Sequence, residues 1–83
     1  MAPIAAMEIL DAITRIAHDH LGWVGPISPE MRLIEDLKLD SIHRLTLAVH
    51  IENRFRIALD EEDEAGLETV GDLAAAVGRK LAG

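Results

Sequence analysis

Residues 40–55 run Asp40-Ser41-Ile42-His43-Arg44-Leu45-Thr46-Leu47-Ala48-Val49-His50-Ile51-Glu52-Asn53-Arg54-Phe55, and this stretch decides the fold. An acidic loop gives way there to an apolar-periodic run, so a helix is expected from about Ser41 to Phe55. Leu47, Ile51 and Phe55 form one line at four-residue spacing, with Ala48 beside it. Ile42, Leu45 and Val49 form a second line, shifted around the axis. A helix apolar on more than one side is either deeply buried or uses its second stripe to meet a partner. Both readings stay open. Ser41 at the helix start is expected to be exposed, its hydroxyl beside free backbone N–H groups, where orphan amides favour an anion such as phosphate. The dipole adds only about 0.3–1 kcal/mol. Asp and Ser are also the ordinary N-cap residues, so Asp40-Ser41-Ile42 has a purely local explanation as well.

Three more helical segments lie outward from this run. In the first, Ile9, Leu10, Ile13, Ile16, Ala17 and Leu21 recur at three- and four-residue steps, with Gly22 as the stop and Pro3 tolerated in a first turn. Residues 22–40 form a long connection containing Gly25-Pro26 and Ser28-Pro29. It also holds Trp23, Val24, Ile27, Met31, Leu33, Ile34, Leu37 and Leu39. So apolar a loop is expected to pack on the bundle, with Ser28-Pro29-Glu30 starting a short helical turn. Arg56-Ile57-Ala58-Leu59 reads as an extended connection whose Ile57 and Leu59 plug the core. Asp60 then caps a short acidic third helix, Glu61 to Ala65, stopped by Gly66. Thr69-Val70-Gly71-Asp72 resembles a capping box with Asp in place of Glu, and it opens a fourth helix. Val70, Leu73, Ala74, Val77 and Leu81 form that helix's buried face. The expected architecture is all-α, a small four-helix bundle forming one domain over residues 1–83.

Composition limits the functional classes. Eighty-three residues with 49% hydrophobic content make a folded domain, not a disordered chain. No apolar run is long enough for a bilayer, and the N-terminus lacks the basic stretch of a signal peptide. The absence of cysteine excludes disulfides and thiolate metal sites, and it fits a cytoplasmic chain. Net charge is −7, unevenly spread. Residues 1–40 hold seven carboxylates against three Lys/Arg, and residues 61–83 hold six against two. Residues 41–60 hold Glu52 and Asp60 against Arg44, Arg54 and Arg56, plus His43 and His50. An acidic protein repels nucleic acid and anionic headgroups, so both are poor partner candidates; basic protein surfaces are better ones, and a solvated acidic surface kept for solubility is the equal alternative.

Metal and catalytic signals fail on spacing. Asp60 to Asp72 is acidic over a calcium-loop length, but Ala65 stands where the required glycine belongs. His18 and His20 are two apart and diverge around the axis. His43 and His50 share a face, with no carboxylate or third histidine placed beside them, and are expected as surface histidines. No Gly-rich phosphate cradle and no nucleophile–base–orienter set is present. The chain is not expected to be an enzyme.

Residues 34–73 resemble an acyl carrier protein. The resemblance runs from Ile34-Glu35-Asp36-Leu37-Lys38-Leu39-Asp40-Ser41-Ile42 through Ile51-Glu52-Asn53-Arg54-Phe55-Arg56-Ile57-Ala58-Leu59 to Thr69-Val70-Gly71-Asp72-Leu73. It implies a four-helix bundle with a long first loop and a short third helix. Ser41 is implied as the attachment point of 4′-phosphopantetheine, added from coenzyme A by a magnesium-dependent phosphopantetheinyl transferase, with Asp40 near the transferase's metal. The arm's thiol then carries acyl groups as thioesters for lipid or fatty-acid biosynthesis, which agrees with the missing cysteines. Further implied partners are acyl-processing synthases, ligases and acyltransferases, meeting a monomeric carrier through Ile42, His43, Arg44, Leu45, Val49, His50, Glu52 and Arg54. Leu47, Ile51, Phe55, Ile57, Val70, Leu73 and Val77 are expected to line the core and receive a long acyl chain.

The departures from that family point to a specialised carrier. Lys38 stands where glycine is common. His43 and Thr46 occupy positions that are often acidic, and Arg44 and Arg54 add positive charge to the same helix. The Gly-Gly pair usual before the serine of peptidyl carriers is replaced by Lys38-Leu39. A polyketide, D-alanyl or other aminoacyl carrier stays open, as does an unmodified helical interaction module of the same fold.

Overall fold

The chain condenses around α1 (Ala6–Leu21), which packs against both α2 (Ser41–Phe55) and α4 (Val70–Ala82), with α3 (Glu61–Ala65) as a single short segment between the last two. The computed structural model describes residues 6–82, so Pro3 lies outside the described residues. Ile9, Ile13, Ile16 and Ala17 of α1 are buried, and Leu10 and Leu21 pack half-buried beside them. Gly22 ends the helix at φ 72°, a left-handed conformation that costs glycine little.

The centre of the core is Ile13, Ile51, Val70, Leu73 and Val77, all fully enclosed. Each contributes about 1.5–3 kcal/mol relative to exposure. Leu47 and Ala48 extend the same face of α2, and Ala76 is a buried α4 position that the sequence pattern missed. Two expected core residues sit differently. Phe55 and Ile57 are only half-buried, packed on the edge of the cluster. Phe55 occupies the last turn of α2, where the bundle ends, and the Arg54 guanidinium lies 5.5 Å from its ring centre. Ile57 follows the left-handed Arg56 (φ 55°), whose turn carries the chain away from the centre, and Leu59 becomes the buried plug instead.

The long connection is packed, as its composition predicts, though not throughout. Ile27, Leu33, Leu37 and Leu39 are buried and Trp23 and Met31 are half-buried, whereas Val24 (83% exposed) and Ile34 (56% exposed) face outward. Ser28-Pro29-Glu30 forms one turn, closed by the Met31 N–H on the Ser28 carbonyl (3.1 Å), and does not continue as a helix. Beyond it the loop is laced to the start of α4. The Leu33 N–H donates to the Glu68 carbonyl (3.0 Å), Val70 to Met31 (2.9 Å) and Gly71 to Pro29 (2.8 Å). A β-carbon at Gly71 would stand 3.1 Å from the Pro29 oxygen, so any larger residue there would push the two segments a few tenths of an ångström apart.

Caps formed as their residue types dictate. Asp60 and Asp63 exchange side-chain-to-backbone hydrogen bonds across α3 (2.9 and 3.1 Å), a capping box built from two aspartates. Thr69 and Asp72 do the same at α4, where the Asp72 carboxylate also accepts the Glu68 N–H. Lys80, on the last turn of α4, reaches back to Asp63 (3.0 Å) and Asp60 (3.7 Å) and ties α3 down.

Replacing Ile51 by Ala is expected to cost about 2–5 kcal/mol in chemical denaturation, and Phe55→Ala only about 1–2 kcal/mol. Equal losses would contradict the edge position of Phe55. The caps also set a pH window. Lys80 and then the Asp60 N–H hold the Asp63 carboxyl below the usual carboxylate range, and the Thr69 and Glu68 N–H groups do so for Asp72. Their stabilisation is full above the usual carboxylate value and is lost as pH falls through the lowered one. The Lys80 ammonium is pushed up by Asp63, so its stabilisation is full below the usual lysine value and is lost as pH rises through the raised one. Thermal melts are therefore expected to be highest between about pH 4 and pH 10 and to fall on both sides. Asp63→Asn should flatten part of both limbs.

Candidate functional site

The N-terminus of α2 is assembled by short-range hydrogen bonds on the loop that precedes it. The Arg32 N–H donates to the Asp36 carboxylate (2.7 Å), the Leu37 N–H to the Arg32 carbonyl, and the Leu39 N–H to the Leu33 carbonyl (3.1 Å). Leu37 and Leu39 are thereby turned into the core on either side of Lys38, which adopts φ 58°. Asp40 is extended and caps the helix: its Oδ1 accepts the His43 N–H (2.8 Å), and its carbonyl accepts the Arg44 N–H (2.9 Å). Ser41 is therefore the first residue inside the helix, not the cap. It is exposed, and its hydroxyl has no hydrogen-bond partner among the described residues. The N–H groups of Ser41 and Ile42 are likewise without partners among those residues. An exposed hydroxyl beside two open amides is chemically suited to carry a phosphate ester.

Ser41 stands on the rim of a groove of about 350 Å³ between α2 and the α3–α4 connection. Leu33, Leu47, Leu67 and Leu73 supply apolar walls, and Arg44 and Glu64 are its charged residues. Of the residues expected to receive an acyl chain, Leu47 and Leu73 line this groove. Ile51, Val70 and Val77 are sealed in the core, and Phe55 and Ile57 are not among the groove's lining residues.

The residues expected to meet partners divide in the same way. Ile42, Leu45 and Val49 are 72%, 60% and 43% exposed, so the second apolar stripe of α2 is left uncovered rather than deeply buried. His43 and Arg44 are exposed on the same first turns. His50 and Arg54 belong elsewhere, because about 100° of rotation per residue carries them off the stripe, whereas Glu52, three residues beyond Val49, stays in line with it. The Glu52 carboxylate accepts the Leu59 N–H (2.8 Å), and its carbonyl accepts the Arg56 and Ile57 N–H groups, so it holds the turn after α2. His50 and Arg54 line a shallow depression against α1.

The histidines are not simple surface groups. The His43 Nδ1 lies 3.1 Å from the Asp40 Oδ1, which supplies the carboxylate that sequence spacing had not placed beside it. The His50 ring stacks on His20 of α1, centroids 3.7 Å apart and planes 12° from parallel. Nothing in local sequence signals that pairing, since the two residues lie thirty positions apart on different helices. Among the described residues no group of three or more His, Cys, Asp or Glu is placed to hold a metal, and no helix is long and apolar enough to cross a membrane.

Comparison with known proteins bears directly on this geometry. The family model for the phosphopantetheine attachment site matches residues 11–77. The chain belongs to the phosphopantetheine-attachment family. That family's cofactor is 4′-phosphopantetheine, held covalently. The meromycolate extension acyl carrier protein of Mycobacterium tuberculosis is 36% identical over 75 residues, covering 88% of this chain. The chain spans 64% of that relative's length. The acyl carrier protein MbtL of a Mycobacterium species is 41% identical over 71 residues, covering 84% of this chain and 80% of the relative. A solved structure of a protein assigned as an acyl carrier protein from Mycobacterium tuberculosis superposes with a TM-score of 0.71 at 28% identity, covering 89% of this chain and 95% of the other. The all-α four-helix fold is thus the carrier fold.

Lys38, the departure from glycine noted in the sequence, adopts φ 58°, which costs a residue with a β-carbon about 1–2 kcal/mol. Lys38→Gly should relieve that strain, less the entropy glycine regains when unfolded, and raise stability by about 0.5–1 kcal/mol. That corresponds to a melting temperature higher by roughly 2–8 °C. An unchanged or lower melting temperature would show that the turn costs lysine nothing.

Proposed function

We propose that residues 1–83 act as one non-catalytic carrier domain, with Ser41 as the attachment point of 4′-phosphopantetheine. The observation that carries this reading is the Ser41 hydroxyl, exposed and unpartnered on the first residue of α2 at the rim of an apolar groove. A phosphopantetheinyl transferase approaching here meets a rigid helix end whose cap, Asp40, is already committed through Oδ1 to the His43 N–H. The free Oδ2 of Asp40 is then the atom available toward the transferase's magnesium. Attachment forms the Ser41 Oγ–phosphorus bond and breaks the phosphoanhydride of coenzyme A. The bound arm supplies a thiol for thioester chemistry, which a chain without cysteine does not otherwise possess.

The chain's own residues then present and shelter the cargo. Leu33, Leu47, Leu67 and Leu73 offer an apolar groove that favours an acyl chain over a polar aminoacyl group. One named relative acts in meromycolate extension and another is called an acyl carrier, which supports lipid or fatty-acid biosynthesis as the setting. Partner synthases, ligases and acyltransferases would dock on the Ile42–Leu45–Val49 stripe, with His43 and Arg44 at its edge. Glu52, the lone carboxylate of α2, is turned to the backbone of Leu59, so this face has no free carboxylate of its own. Enzymes that seek an acidic helix are therefore disfavoured, and dedicated partners of a monomeric carrier are favoured.

Incubation with coenzyme A, magnesium and a broad-specificity phosphopantetheinyl transferase should add one phosphopantetheine mass, located to Ser41 by peptide mapping. Ser41→Ala should abolish the addition with the helical spectrum nearly intact, because Asp40 is the cap and remains in place. Labelling at Ser28, or no labelling at all, would sink the assignment.

A further inference from the structure

We propose that the Arg44 guanidinium binds the phosphodiester of an arm carried on Ser41 and lays that arm across the groove between α2 and the α3–α4 connection. The inference rests on the attachment at Ser41, and it concerns a residue that attachment itself does not need.

Arg44 is three residues beyond Ser41 on α2, which sets the two side chains on neighbouring ground one turn apart. Helical side chains lean back toward the N-terminus, so Arg44 covers the turn that begins at Ser41. Both residues line the same groove. The guanidinium is also uncommitted: among the described residues Arg44 forms no ion pair, whereas Arg32 is paired with Glu35 and Lys80 with Asp60 and Asp63.

The surrounding charges leave this cation without a competitor. Asp40 gives one oxygen to the His43 N–H and lies beside the His43 ring, so it is turned along the helix end. Glu64 also lines the groove, yet no cation lies within ion-pair distance of it among the described residues, Arg44 included. Lys38 is near in sequence but is not a groove residue. A phosphodiester on Ser41 brings one negative charge spread over two non-bridging oxygens. The planar fork of arginine matches that pair of acceptors, and the open Ser41 and Ile42 amides complete the anion's surroundings. Before attachment, by contrast, Arg44 has no ion-pair partner among the described residues, Glu64 across the groove included. Attachment therefore supplies a missing counter-charge, and the loaded protein should be the more stable form.

The test compares unloaded and loaded protein, each verified by mass, for the parent, Arg44→Gln, Arg44→Lys and Lys38→Gln. The loaded parent should melt about 2–5 °C above the unloaded one at low salt. In 1 M salt the difference should shrink, since screening reaches within about 3 Å. Arg44→Gln should remove the difference and shift the phosphorus NMR resonance of the loaded form, Arg44→Lys should keep part of it, and Lys38→Gln should leave it intact. The same loaded-minus-unloaded difference in Arg44→Gln as in the parent, with an unmoved phosphorus resonance, overturns the contact. Loss of the difference in Lys38→Gln alone assigns the phosphate to Lys38 and equally overturns it. Failure to gain mass on Ser41 is a separate result, visible before any melt, and removes the attachment together with the contact.

Discussion

The lacing of the long loop onto the start of α4 is the constraint on which the rest of the structure depends. Three backbone hydrogen bonds, among Leu33, Glu68, Met31, Val70, Pro29 and Gly71, bind two segments separated by nearly forty residues. Ordering a backbone costs about 1–2 kcal/mol per residue, so a connection as long as residues 22–40 stays in place only if its polar groups and leucines are both satisfied. Ile27, Leu33, Leu37 and Leu39 meet the second need by entering the core. With the loop held, Asp40 emerges at a fixed point, and Ser41 begins α2 exposed on the groove that Leu67 and Leu73 also line.

That position lets one helix do two unlike things. The Leu47–Ala48–Ile51 face closes the core, and the Ile42–Leu45–Val49 stripe stays in solvent. An uncovered apolar stripe is a standing cost in water, which a docking partner would remove by covering it. Charge would sort such partners. The carboxylate that α2 contains is used internally by the turn at Leu59, while Arg44 remains free at the groove. In a protein of net charge −7, residues 41–60 are thus the least acidic stretch.

Function and packing meet at Arg44 and Lys38, the two cations flanking the serine. Lys38 accepts a left-handed backbone that glycine would take without strain. Its neighbours Leu37 and Leu39 explain why the turn is made at all, since both must point inward. Arg44 makes no ion pair among the described residues and lines the groove together with Ser41, so its guanidinium is available to an anion carried there.

The amino-acid sequence by itself determined the four helices, their ends and the family. The caps at Asp40, Asp60 and Thr69 join residues three positions apart, and helix faces repeat within two turns, so both are written locally. The run from Ile34 to Leu73 carried the family resemblance for the same reason. Tertiary structure alone decided matters that join distant residues. It stacked His50 on His20, turned Glu52 to the Leu59 amide, left Phe55 on the rim and Val24 and Ile34 outside, and divided the expected acyl-chain residues between a groove and a sealed core. Hydrophobic pattern states which residues prefer burial. Which of them obtain it depends on where the helices cross and where the bundle stops, and no local spacing encodes that.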